Sequence, residues 1–119
     1  MTTRKYGLDS ETWAQAKTEV RAILIDAARA RTLITYGEVT QRLQALHAHP
    51  GSYVFTALLR EICAELEREN GLMLCALVVA KATGTPGAGY FRGMACESGD
   101  LIACWQAECN AVYDYYAED

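Results

Sequence analysis

The stretch LMLCALVVAKATGTPGAGYF, Leu72 to Phe91, decides how the rest of the chain is read. Its first part, Leu72 to Ala80, is almost wholly apolar and includes Leu77-Val78-Val79, which suits a buried strand. Thr83-Gly84-Thr85-Pro86-Gly87-Ala88-Gly89 follows as a glycine-rich loop. Pro86 fixes one dihedral there, while Gly84, Gly87 and Gly89 permit positive φ. Tyr90-Phe91 then begins a return strand. The expected element is a β-hairpin with a longish exposed tip, none of whose side chains suits a core. Lys81 and Arg92 would present charge at its base.

Upstream, residues 52 to 69 read as a helix, with Val54, Leu58, Ile62 and Leu66 in one stripe, Ser52 placed to cap the start and Asn70-Gly71 to close the end. The turn His47 to Ser52 separates it from a short helix over Glu38 to Leu46, where Val39, Leu43 and Leu46 repeat. Thr32 to Tyr36 is short and β-prone, and Gly37 breaks it. Residues 10 to 30 carry Trp13, Ala16, Val20, Ile23, Leu24 and Ala27 at helical spacing behind Asp9 or Ser10 as N-cap. Downstream, Leu101, Trp105, Cys109, Val112 and Tyr116 step by three and four, so Ser98 to Tyr116 is an amphipathic helix. Helix, short strand, helix, turn, helix, hairpin and final helix is an α+β order that matches a winged helix-turn-helix. The helix from about Ser52 to Glu69 would be its recognition element and Lys81 to Gly89 its wing. The same elements also suit a small α+β domain packed otherwise.

The chain has 119 residues, 51% hydrophobic and 22% charged, with net charge -4. That fits one domain over residues 1 to 119 and is too apolar for a disordered chain; a domain of this length buries ~65% of its unfolded surface. No window approaches the ~18 consecutive apolar residues of a membrane span. Met1-Thr2-Thr3-Arg4-Lys5 runs into Asp9 and Glu11 rather than an apolar signal core. A soluble cytoplasmic protein without a membrane partner is the expectation. Five cysteines (Cys63, Cys75, Cys96, Cys104, Cys109) are odd in number and contain no C-x-x-C pair. They read as free thiols acting as small core hydrophobes, with neither a disulfide scaffold nor a zinc site expected. Charge is unevenly spread: residues 1 to 60 are net +3 and residues 61 to 119 net -7. A polyanion would have to meet the first half.

Thr35-Tyr36-Gly37-Glu38-Val39 resembles the T-Y-G-x-[LV] entry to the helix-turn-helix of alkylguanine-DNA alkyltransferases and alkyltransferase-like proteins. Ala57-Leu58-Leu59-Arg60 falls at that family's recognition-helix segment, and Cys75-Ala76-Leu77-Val78-Val79 through Gly89-Tyr90 at its P-C-H-R-V-V strand and G-G-Y turn. The likeness spans roughly Thr32 to Gly93, that family's winged-helix part. The segment Leu77 to Tyr90 also resembles small bacterial and phage-borne proteins with L-V-V-x-K-x-T-G-x-P-G-x-G-[YF], a closer likeness that brings no activity with it. Cys75 aligns with the alkyl-accepting cysteine, but Leu74, Ala76 and Leu77 replace the motif's proline, histidine and arginine. A thiol with no neighbouring base or cation is a poor nucleophile, so Cys75 is expected to be a buried strand cysteine and alkyl transfer is not. Ser52 stands about where the family has its base-replacing arginine, and Phe55 where it has glycine.

Other arrangements point to structure more than to chemistry. Glu61, Glu65 and Glu69 share i,i+4 spacing, which could suit a metal but reads first as a solvated face. His47 and His49 belong to a polar turn. Gly84 to Gly89 precedes a strand and lacks the phosphate-loop lysine. Of the rings in the last helix, Tyr115 is the one expected to be exposed. No cofactor is implied. Two functions stand ahead of a third, an enzyme, for which no base-nucleophile pair, metal set or cofactor fingerprint is seen: a non-enzymatic double-stranded-DNA-binding winged helix using Thr35, Tyr36, Ser52, Tyr53, Arg60, Lys81 and Arg92, or a protein-interaction module that docks a partner or forms a homodimer. The acids on the recognition helix, Glu61, Glu65, Glu67 and Glu69 against Arg60 and Arg68, weigh against DNA.

Overall fold

The apolar stripes set the helices. In the computed structural model, which describes residues 4–5 and 8–117, α1 spans Ser10–Arg29 and buries Trp13, Ala16, Val20, Leu24, Ala27 and Ala28. The Asp9 carboxylate caps it by accepting the Thr12 N–H at 2.7 Å. Met1 to Thr3 of the leader reading lie outside the described residues. A two-residue antiparallel pair, β1 (Arg4–Lys5) with β2 (Leu8–Asp9), precedes α1.

After α1 the chain turns through Arg31 at φ 55°, a left-handed position that usually falls to glycine. The Arg31 N–H donates to the Ala28 carbonyl and the Thr32 N–H to that of Ala27, which satisfies the last carbonyls of α1. The Arg31 guanidinium pairs with Asp114 at 3.2 Å and lies over the Tyr113 ring.

β3 (Ile34–Thr35) leads into α2 (Tyr36–Arg42) through a reciprocal cap: the Thr35 hydroxyl accepts the Glu38 N–H, and the Glu38 carboxylate accepts the Thr35 N–H, both at 3.1 Å. α3 spans Tyr53–Asn70, starts on the Ser52 hydroxyl and stops at Gly71, whose φ of 77° reverses the chain. Its buried residues are Phe55, Leu58, Leu59, Ile62 and Leu66, so the stripe is wider than Val54, Leu58, Ile62 and Leu66, and Val54 lies at its margin.

The hairpin expectation fails in two places. Leu74–Leu77, Cys75 included, is a 3-10 turn rather than strand, and only Val78–Val79 (β4) is extended. β4 pairs in parallel with β3, Ile34 opposite Val78 and Thr35 opposite Val79. The expected return strand is instead a helix, α4 (Ala88–Arg92). A parallel pair needs a long crossover, which α2 and α3 provide, so β4 finds its partner far back in sequence.

The loop is also less exposed than expected. It closes on itself, Ala80 N–H to the Thr85 carbonyl at 2.9 Å and Gly84 N–H to that of Ala80 at 2.8 Å. Pro86 is buried, and of Gly84, Gly87 and Gly89 only Gly84 takes positive φ. The exposed-wing assignment is therefore corrected in part: Thr85 to Gly87 pack inward around Pro86, while Lys81 to Gly84 and Ala88 to Gly89 stay exposed.

α5 (Leu101–Tyr116) begins at an Asp100 cap and buries Trp105, Cys109, Val112 and Tyr116, while Leu101 is exposed. The 3-10 turn packs against α1, α3 and α5, and β4 continues from it beside β3. There Trp105 donates its indole N–H to the buried Ala76 carbonyl at 2.7 Å. The result is a mixed α+β architecture, mostly helical, with a short two-stranded parallel sheet. No described helix is long and apolar enough to cross a membrane.

Candidate nucleic-acid interface

A groove of about 620 Å³ opens between α3, the 3-10 turn and α4. Tyr36 and Gly51 stand at one end, and Thr56, Leu59, Arg60, Cys63, Ala64 and Glu67 form the α3 wall. Met73 and Cys75 face them, and Gly87, Gly89, Tyr90 and Gly93 close the α4 side. The closure is a long-range hydrogen bond: the Gly87 N–H donates to the Tyr36 hydroxyl at 3.0 Å. Tyr90 packs against the core with its hydroxyl buried and unpartnered among the described residues. Burial pushes that hydroxyl well above its ordinary range.

The acids of α3 do not face this groove as a charged wall. Lys17 on α1 bridges Glu61 at 3.2 Å and Glu65 at 2.7 Å, and Arg21 pairs with Glu69 at 2.9 Å. The Trp13 indole N–H also donates to Glu61. Of the stripe read as a solvated face, Glu61 and Glu65 are part-buried where α1 meets α3, while Glu69 remains half exposed. These hydrogen bonds raise Lys17 above its ordinary value, that from Glu65 most, and the Arg21 hydrogen bond lowers Glu69. Of the four acids, Glu67 alone lines the groove.

The seven proposed contact residues divide by what the fold already asks of them. The hydroxyls of Thr35 and Ser52 are engaged as caps, and that of Tyr36 holds Gly87. Tyr53 is 74% exposed in the first turn of α3. Arg60 lines the groove, and Arg92 on α4 reaches over Gly89, its Nη2 3.9 Å from where a Cβ there would sit. Lys81 is exposed after β4 and does not line the groove. Arg60, Lys81 and Arg92 form no ion pair among the described residues. Phe55 is buried and is not presented to a DNA backbone.

The cysteine reading is overturned. Cys63 and Cys75 form a disulfide, as do Cys96 and Cys104, leaving Cys109 as the free, buried thiol. Cys75 is neither a strand residue nor a free thiol; its sulfur is bonded to Cys63 on the groove wall. Loop separations of 12 and 8 residues carry no recognisable spacing, so only the folded arrangement shows the pairing.

Sequence reasoning also missed Glu19. Its carboxylate accepts the N–H groups of Gln44 and Ala45 at 2.8 and 3.0 Å, holding the end of the α2 segment against α1. The Ala45 and Gln44 hydrogen bonds hold its carboxyl below the ordinary value. His47 and His49 are exposed in the turn as expected, with His49 Nδ1 accepting the Gly51 N–H. No protein-family model, no curated protein and no solved structure matches the chain.

Proposed function

We propose that this chain is a non-enzymatic double-stranded-DNA-binding domain of winged-helix-turn-helix type, with α2 and the first turns of α3 facing the duplex. The observation that carries this reading is the pairing of Glu61, Glu65 and Glu69 with Lys17 and Arg21. It answers part of the sequence's objection, because three of the acids that would repel phosphate are held by two cations between α1 and α3, a net charge of -1 in place of -3. Thr56, Arg60 and the one acid Glu67 face the groove, Arg92 lies beside it on α4, and Tyr53 is exposed in the first turn of α3. Phosphate binding requires cationic side chains at such a face, and hydroxyl and backbone N–H groups set the register. Lys81 would act from the flank, in place of a hairpin wing. Thr35 and Ser52 contribute by fixing the helix starts that aim Tyr36 and Tyr53.

Titrating isotope-labelled protein with a short duplex tests the reading. Amide shifts should concentrate in Thr35 to Gly37, Gly51 to Arg60 and Gly87 to Gly93. Shifts confined to α5, or none at low salt, would reject it.

A protein-interaction module is the second reading, favoured by Leu101, Ile102 and Tyr115, which are 44%, 44% and 52% exposed on α5 in the acidic half. Concentration-dependent sedimentation lost on Ile102→Glu would support a homodimer through that helix.

A further inference from the structure

One covalent bond ties the two walls of the groove together. Cys63 on α3 and Cys75 in the 3-10 turn lie with Cα atoms 5.9 Å apart, and both residues line the groove. The other disulfide, Cys96–Cys104, lies outside it and holds the segment before α5 against the first turn of that helix. The remaining cysteine, Cys109, is buried, and burial pushes its thiol up to about 11. It supplies almost no thiolate near neutral pH, so internal exchange has no ready nucleophile. A thiol that opens Cys63–Cys75 has to arrive from solvent through the groove.

We propose that the Cys63–Cys75 disulfide is a thiol-exchange site, and that the groove selects for it a small amino-acid-type thiol bearing both a carboxylate and an ammonium group. The charge pattern sets the class. Arg60, Cys63 and Glu67 follow one another at three- and four-residue spacing and share a face of α3. Arg60 and Glu67 are seven residues apart, about 10 Å along the axis, with the sulfur between them. Neither is in an ion pair among the described residues. A guanidinium beside the disulfide takes a carboxylate in a forked pair, and Glu67 receives the ammonium. Leu59 and Met73 give the methylene portion an apolar surface.

In the first step the thiolate of the small thiol attacks one sulfur of the pair. A new S–S bond forms, the Cys63–Cys75 bond breaks, and its electron pair leaves on the other sulfur, which takes a proton from water. The product is a mixed disulfide in the groove and one protein thiol. A second small thiol, as thiolate, displaces the protein sulfur. This leaves two protein thiols and the small thiol's own disulfide, and the reverse sequence restores the bond. Exchange rates depend on access as well as on thiolate character, which separates this disulfide from Cys96–Cys104. The inference requires the groove and its charges, not DNA binding.

The test uses the oxidised full-length protein with L-cysteine or, as a control lacking only the carboxylate, cysteamine. Reactions are quenched by alkylation and mapped by peptide mass spectrometry, and rates are corrected for each thiol's ionised fraction. Cysteine should form a mixed disulfide at Cys63 or Cys75 while Cys96–Cys104 stays closed. Arg60→Ala should slow cysteine about tenfold and should not slow cysteamine, as loss of charge guidance requires. Opening of Cys96–Cys104 at an equal rate would overturn the proposal. So would equal corrected rates for the two thiols in wild type and Arg60→Ala, or exchange seen only in denaturant.

Discussion

The Tyr36 hydroxyl, at the start of α2, accepts the backbone N–H of Gly87 from 51 residues downstream at 3.0 Å. Tyr36 follows β3 directly and Gly87 stands at the start of α4, so the bond ties the end of β3 to the start of α4. It joins the two parts of the structure on which the candidate interface depends.

Removing that acceptor should loosen the α4 side. Tyr36→Phe leaves a partly buried N–H without its partner and should cost about 1 kcal/mol. Denaturant unfolding measures the loss, and hydrogen exchange at Gly87 should accelerate more than exchange in α1.

Arg31 separates backbone strain from side-chain contact. Arg31→Ala removes the Asp114 and Tyr113 contacts and keeps a side chain in the left-handed region, so it should destabilise by about 1 kcal/mol. Arg31→Gly removes the same contacts but relieves a strain of ~1 kcal/mol, leaving thermal stability close to wild type. Two equal midpoint losses would show that the backbone is not strained there.

The α1 and α3 stripes, the Asp9 and Ser52 caps and the stop at Gly71 were legible in the sequence because each is fixed within a few residues. Long-range partners were not. Tyr90 and Phe91 are aromatic and follow an apolar run, which locally favours a strand, yet α4 has no side-chain cap and is held by Tyr36 and by packing on the core. Val78–Val79 was legible as strand, but its pairing with Ile34–Thr35 was hidden by the crossover. For the candidate site, Arg60 and Tyr36 could be placed together from motif order alone. The masking of Glu61, Glu65 and Glu69 could not, since Lys17 and Arg21 lie 44 or more residues away.

Acid should weaken the α1–α2 tie. The folded-state value of Glu19 is lowered by the Ala45 and then the Gln44 hydrogen bonds, so its contribution is complete above the ordinary 4.5. It is lost as pH falls below 4.5 through the lowered folded value. Glu19→Gln should be less stable at neutral pH, with a flatter stability profile below pH 4.5. Parallel profiles for the two proteins would remove Glu19 from the acid response.

The buried indole bond ties α5 to the 3-10 turn. Trp105→Phe withdraws the donor from the Ala76 carbonyl and should cost about 1–3 kcal/mol. A change below a few tenths would show that another donor replaces it.

The central claim, that pairing of Glu61, Glu65 and Glu69 with Lys17 and Arg21 leaves Arg60 and Arg92 able to hold DNA, is tested most directly by the salt dependence of duplex binding. Fluorescence anisotropy over a salt series should give measurable affinity at low salt and a linear loss of log affinity with log salt concentration. The double variant Arg60→Ala with Arg92→Ala should lower the slope by about two phosphate contacts. Absence of binding at low salt, or an unchanged slope in the double variant, would contradict the account.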